Sequence, residues 1–369
     1  MPRFSRRSFL HLSAAASAAA SFRIMTEPML AAAARHQPHP PGAVAIDANE
    51  NPLGPCAAAR DAMAAILPHG GRYSDELTDD LVKTFAQTEG LNPDYVSATV
   101  GSTPALASSV LAFTSPERSY VTPDPGFELG MSAAEYNGAR VVKVPLTKTY
   151  AHDVKAMLAA APDAGLFYVC NPNNPTGTLT PRADIEYLLE NKSKDSIVLI
   201  DEAYIHFAET PSMLDLAKSR TDVIVLRTFS KVYGLAGIRC GVIIAHPDLK
   251  QRALERGGFN FMPITAVVAA SASLKESPLV PDRRRINATI RQQTFQWLDR
   301  NGCSYIPSES NCFMVDVKRP GQEVRQAMAK ENVFIGRVWP SMPTWVRITV
   351  GTQDEMAKFQ AAFQKVMRA

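Results

Sequence analysis

The nine residues Ser196–Tyr204, SIVLIDEAY, decide the fold. Ile197, Val198, Leu199 and Ile200 follow one another without a polar break, and Asp201 and Glu202 close the run. A strand with one wet face alternates apolar and polar residues. An unbroken run rich in branched side chains fits a strand covered on both faces, as in a parallel sheet with helices packed outside it. Working outward, the same signature recurs in GLFYVCNP (165–172), DVIVLRTFS (222–230) and CGVIIAHP (240–247). Further upstream lie YVSATVG (95–101), RSYVTP (118–123) and ARVVKVPL (139–146). Helical stretches follow the earlier runs: TPALASSVLAFT, FELGMSAAEYNG and HDVKAMLAAA. The alternation predicts an α/β protein with a mostly parallel sheet.

In open sheets of this kind, ligands gather beyond the carboxyl ends of the strands. Four groups of unusual residues fall there: Gly101–Thr103, Asn171–Gly177, Asp201–Tyr204 and Ser230-Lys231. Lys231 sits beside Thr228, Ser230 and Tyr233, with Arg239 eight positions on. A lysine near a desolvated site and other cations becomes a nucleophile toward carbonyls; on its own it could equally be a solvent-facing lysine. Thr228, Ser230 and Arg239 could also grip an anion. Gly101-Ser102-Thr103-Pro104 offers exposed backbone N–H groups at a helix start, which favour an anion too, although a plain capped helix start has the same look. Asp201 at the end of an apolar strand is costly to bury as an anion unless a cation meets it. A protonated ring nitrogen is one such cation, and a metal-binding carboxylate or a catalytic acid are the competing readings. Against metal, no histidine lies at ligand spacing from Asp201, and His206 stands alone.

Composition narrows the classes. At 369 residues with 46% hydrophobic residues the chain can bury a large core, and a formal charge of +3 gives no reason to expect nucleic acid or a membrane surface as partner. The five cysteines show neither zinc-ligand spacing nor a disulfide framework. No segment after the leader is apolar enough to span a bilayer.

The motifs NENPLGP, RYSDEL, VGST, NPNNPTG, DEAY, TFSK, GLAGIRCG and VRITVG occur in this order from residue 49 to 351. With them the chain resembles a fold type I pyridoxal-phosphate enzyme of the class I/II aminotransferases, and most of all the histidinol-phosphate aminotransferases. The resemblance implies a large domain with a seven-stranded, mostly parallel sheet and a smaller α+β C-terminal domain. It implies pyridoxal 5'-phosphate as cofactor, an amino donor and a 2-oxo acid acceptor as substrates, and a homodimer. Carried onto this sequence, it makes Lys231 the catalytic, Schiff-base lysine and Asp201 the partner of the ring nitrogen. Asn174 and Tyr204 would hold the ring hydroxyl oxygen, and Phe127 would stack on the ring. The phosphate would lie against Ser102, Thr103, Thr228, Ser230 and Arg239, with Tyr73 supplied by the neighbouring subunit. Arg347 and Arg337 match substrate-anion arginines, and no metal is implied. One departure is the segment DPGFELG, where Phe127 replaces a common tyrosine and Gly126 a threonine, so a hydrogen bond from that position is lost. Decarboxylation, elimination or cyclisation are alternatives on the same cofactor, because the reaction depends on which Cα bond faces the ring. A pyridoxal-phosphate-sensing regulator would need an added DNA-binding domain, and nothing before Val44 has that pattern.

The expected organisation is a leader over 1–34, an N-terminal arm over 35–60, a large domain over 61–264 and a small domain over 265–369. SRRSFLHLSAAASAAASF, with Arg6 and Arg7 adjacent, resembles a twin-arginine export signal, and the small residues near Ala33 suit a peptidase. Export implies a periplasmic enzyme with a specialised amine or amino acid as substrate; the alternative is a cytoplasmic one.

Overall fold

The computed structural model describes residues 39–257 and 261–368. The twin-arginine leader and the proposed peptidase site lie outside the described residues. Short strand β1 (Val44–Ile46) is the first described element, and the large sheet then uses β2 (Val96–Thr99), β3 (Ser119–Asp124), β4 (Val141–Pro145), β5 (Ala164–Cys170), β6 (Ile197–Asp201), β7 (Val223–Thr228) and β8 (Gly241–Ala245). Its order is β2-β8-β7-β6-β5-β3-β4. All neighbours pair in parallel except at β8, which runs against both β7 and β2. Every residue of β5, β6, β7 and β8 is buried, the physical reason that their sequences run apolar without alternation.

Register fixes which residues emerge together. Asp201 lies opposite Cys170 of β5 and Leu226 of β7. Thr228 lies opposite Gly241 of β8, and Gly241 opposite Thr99 of β2. The chain therefore leaves β5, β6, β7 and β2 along one edge, and β8 enters there.

The second layer has strands β9 (Ser304–Ile306), β10 (Cys312–Asp316), β11 (Val333–Ile335) and β12 (Trp345–Thr349). An antiparallel sheet runs β12-β10-β9, while β1 pairs in parallel with β11. This part has its own core, which includes Phe313, Val346, Ile348, Phe359 and Phe363 together with Val44 and Ile46 from the other end of the chain. The helix Ile264–Lys275 packs Ala266, Val267, Ala269 and Ala270 into the first core, beside the helices Ala57–Ile66 and Asp75–Glu89. The following helix, Leu279–Arg300, carries Ile290, Phe295 and Leu298 in the second core. Among the described residues, no helix is long and apolar enough to cross a membrane.

Candidate active site

The four groups of residues at the strand ends meet. Asp201 ends β6 and is 5% exposed; its Oδ2 accepts from the Tyr168 hydroxyl at 2.9 Å and its Oδ1 from the Ala203 N–H at 3.1 Å. Burial pushes its carboxyl up to about 6, against the pull of those two donors and of the nearby Lys231 charge. Glu202, the next residue, has different partners. It is fully buried and accepts from Arg227 Nε at 2.7 Å, from Ser212 Oγ and from the Met213 N–H. That cluster also absorbs His206, whose Nε2 lies 2.9 Å from Arg227 and whose pKa burial drives well below the usual imidazole value. Of the two carboxylates in DEAY, only Asp201 belongs to the strand-end cluster. Among the described residues, no group of three or more His, Cys, Asp or Glu side chains is placed to hold a metal ion.

Lys231 follows β7. Its Nζ donates to the Ala48 carbonyl at 3.3 Å and lies 5.6 Å from the centre of the Tyr204 ring. Tyr204 is buried, which raises its phenol, and its hydroxyl accepts from Asn49 Nδ2 at 3.1 Å. Lysine, tyrosine and aspartate thus stand together at the ends of adjacent strands β6 and β7.

A cluster of two hydroxyls and a guanidinium lies one strand further along. Thr228 Oγ1 donates to Ser230 Oγ at 2.9 Å, and Arg239 Nη1 reaches the same oxygen at 3.3 Å. The helix Ser102–Phe113 starts beside them behind Gly101, which has φ of +80° and gives no side-chain cap. The first N–H groups of that helix, from Ser102 and Thr103 on, are therefore left without a capping side chain. Glycine is needed at 101 for two reasons. Its φ suits no other residue well, and an added Cβ would fall 2.2 Å from Arg239 Nη2. A Cβ at Gly241 would meet the Gly101–Ser102 peptide at 2.7 Å. Bare backbone is what lets the guanidinium, the hydroxyls and the helix end converge.

The NPNNPTG loop supplies Asn174, whose Oδ1 accepts from Arg347 Nη1 at 2.9 Å. Arg347, on β12, is 7% exposed, also donates to the Asp47 carbonyl, and has its Nε buried without a hydrogen-bond partner. Arg337 follows β11; it is ion-paired with Glu128 and stacks over Trp339 at 4.2 Å. Phe127 is half-buried against the first core, in the loop after β3. Tyr73 stands apart from the cluster: it is 91% exposed, and its ring lies 6.3 Å from that of Phe261.

Four contributors are missing from the sequence reading. Asn49, 1% exposed with φ of +53°, ties Tyr204 to Thr349 and Cys312. Tyr168 holds Asp201, Trp339 underlies both arginines, and Glu128 pairs with Arg337. An asparagine inside NENPLGP is a fair pointer to left-handed backbone; nothing local marks the other three.

The profile of aminotransferase class I and II matches residues 42–363, and the chain belongs to that family. It is 33% identical over 332 residues to histidinol-phosphate aminotransferase 1 of Dechloromonas aromatica, covering 88% of this chain and 90% of that protein. The histidinol-phosphate aminotransferase of Sinorhizobium meliloti, solved in complex with pyridoxal-5'-phosphate, superposes with a TM-score of 0.80 at 26% identity over 88% of this chain and 91% of its own. The L-threonine-O-3-phosphate decarboxylase of Porphyromonas gingivalis shares the fold, with a TM-score of 0.76 at 22% identity over 88% of this chain and 99% of its own.

Proposed function

We propose that this chain is a pyridoxal-phosphate-dependent aminotransferase similar to the histidinol-phosphate aminotransferases, and that Lys231 and Asp201 are its central pair. The observation that carries the reading is the buried Asp201 carboxylate beside the Lys231 amine. A carboxyl held near 6 by burial is ionised at neutral pH at a cost, and it gains most from a cation placed against it. The residues present fit the cofactor. The uncapped helix start with Ser102, Thr103, Thr228, Ser230 and Arg239 suits a dianionic phosphate. Asp201 suits a protonated ring nitrogen, Asn174 and Tyr204 suit a ring hydroxyl oxygen, and the Phe127 ring offers a stacking face.

When bound, pyridoxal phosphate supplies an aldehyde that condenses with primary amines and a cationic ring that accepts electrons from Cα. Asp201 would keep the ring nitrogen protonated. Lys231 would hold the aldehyde at rest, and with a donor amine in place its Nζ would take the proton from the donor's Cα and hold it for return. Arg347 grips the substrate carboxylate in a planar fork and fixes which Cα bond is presented. Asn49 holds the Tyr204 hydroxyl in place and keeps the N-terminal arm closed over the site. The exposure of Tyr73 suits a homodimer in which it completes the partner subunit's phosphate site. The Arg6-Arg7 leader supports export to the periplasm and a specialised donor found there; fractionating cells that express the full chain tests this.

The test of function is a single half-reaction. Mixing the purified holoprotein with a panel of amino acids should convert the cofactor's absorption to that of its aminated form and release the matching 2-oxo acid. Release of carbon dioxide instead, or no spectral change with any amine, would overturn the assignment.

A further inference from the structure

Arg337 and Arg347 share one indole. Their guanidinium carbons lie 4.2 Å and 5.5 Å from the centre of the Trp339 ring, which is fully buried and anchored by Nε1 to the Gly126 carbonyl at 3.0 Å. Gly336 keeps the two arginines close: its N–H bonds the Arg347 carbonyl at 2.8 Å, and a Cβ there would fall 3.0 Å from Arg347 Nε. Two guanidinium groups on one aromatic wall would form a site for two anions if both kept their charge. They are not equivalent. Arg347 spends its hydrogen bonds on neutral acceptors, Asn174 Oδ1 and the Asp47 carbonyl. Arg337 is paired with Glu128, whose side chain is 1% exposed. In so dry a place the pair is barely screened, so one positive charge is cancelled before any substrate arrives.

We propose that Glu128 is a specificity-determining residue: by neutralising Arg337 it restricts the pocket beside Arg347 to α-amino acids whose side chain is neutral or cationic. This rests on the aminotransferase reading above. The substrate α-carboxylate takes the uncancelled charge of Arg347. A second anion at the far end of the substrate would have to break the Arg337–Glu128 pair and leave Glu128 buried beside it, a like-charge contact that discriminates as strongly as any attraction. A neutral end leaves the Arg337–Glu128 pair intact, and a cationic end is drawn to Glu128.

The test uses two acids that cannot react, because neither carries an amino group. 3-Phenylpropionate has one carboxylate and a neutral end; glutarate has two carboxylates. Calorimetric titration of the holoprotein should show 3-phenylpropionate binding at least about tenfold more tightly than glutarate. In Glu128→Gln, glutarate affinity should rise at least about tenfold while 3-phenylpropionate stays within about threefold. Glutarate binding the unaltered protein as tightly as 3-phenylpropionate, or neither acid binding, overturns the proposal without need of the variant. An unchanged ratio in a folded Glu128→Gln protein overturns it as well. The half-reaction with the panel of amino acids is a separate arm: no aminated cofactor with any of them, alongside the expected binding preference, would refute the aminotransferase reading and leave the charge selectivity standing.

Discussion

Asp201→Asn should make the cofactor-free protein more stable above pH 6 while it weakens cofactor binding. The carboxyl is raised from 3.8 to about 6 by burial. At about 1.36 kcal/mol per pH unit, the ionised form burdens the folded state by about 3 kcal/mol at pH 8. The sign follows from the protons. With its folded pKa above its unfolded one, Asp201 binds a proton in the native state that the unfolded chain has released between pH 3.8 and 6. Stability from this group is therefore lost as pH rises through that window, and the full penalty stands above it. Between pH 4.5 and pH 8 the penalty grows by about 2 kcal/mol. The amide does not titrate, so the difference between variant and parent should widen by that amount over the same interval, whatever constant offset the amide brings. Urea unfolding of both cofactor-free proteins at pH 4.5, 6 and 8 measures it. A difference that does not change with pH, or that moves the opposite way, would refute the electrostatic reasoning. With cofactor present the order should reverse, because the ring loses its counter-charge and the variant should release pyridoxal phosphate at concentrations where the parent retains it.

Three further outcomes follow from the same geometry. Tyr168→Phe removes a hydrogen bond that favours ionised Asp201, so the pH at which that stability gap reaches its full size should move up by about one unit in the same unfolding series. Gly101→Ala places a Cβ against Arg239 Nη2 at a φ of +80°; the affinity for pyridoxal phosphate, read by equilibrium dialysis, should fall by about tenfold to a hundredfold, with a stability loss of about 1–2 kcal/mol. Arg347→Lys exchanges a planar fork for a point charge; kcat/KM for the amino donor should drop by roughly tenfold to a hundredfold, with the cofactor spectrum unchanged.

The large sheet was legible because its central strands β5 to β8 are buried on both faces and their sequences say so. The three-residue strands β1 and β9 were not. Val44–Ile46 is too short to carry a pattern, and its partner, Val333–Ile335, lies at the far end of the chain. The cluster at the strand ends was legible for a related reason, since polar residues that interrupt apolar runs at one sheet edge must meet. The DEAY motif singled out Asp201, but nothing in it foretold where Glu202 turns. Their fates depend on which side of β6 each emerges, and on an arginine in β7 that reaches only one of them. Asn49, Trp339 and Glu128 act across the two cores, through contacts that leave no trace in local spacing.

The central claim is that one amine, at position 231, holds the cofactor's aldehyde. Borohydride reduction of the holoprotein, followed by proteolysis and mass mapping, tests it most directly. One modified tryptic peptide is expected, Thr228 to Arg239, carrying the reduced cofactor on Lys231, and no such adduct in Lys231→Ala. An adduct on another lysine, or a folded protein that takes up no pyridoxal phosphate when it is offered in excess, would contradict it.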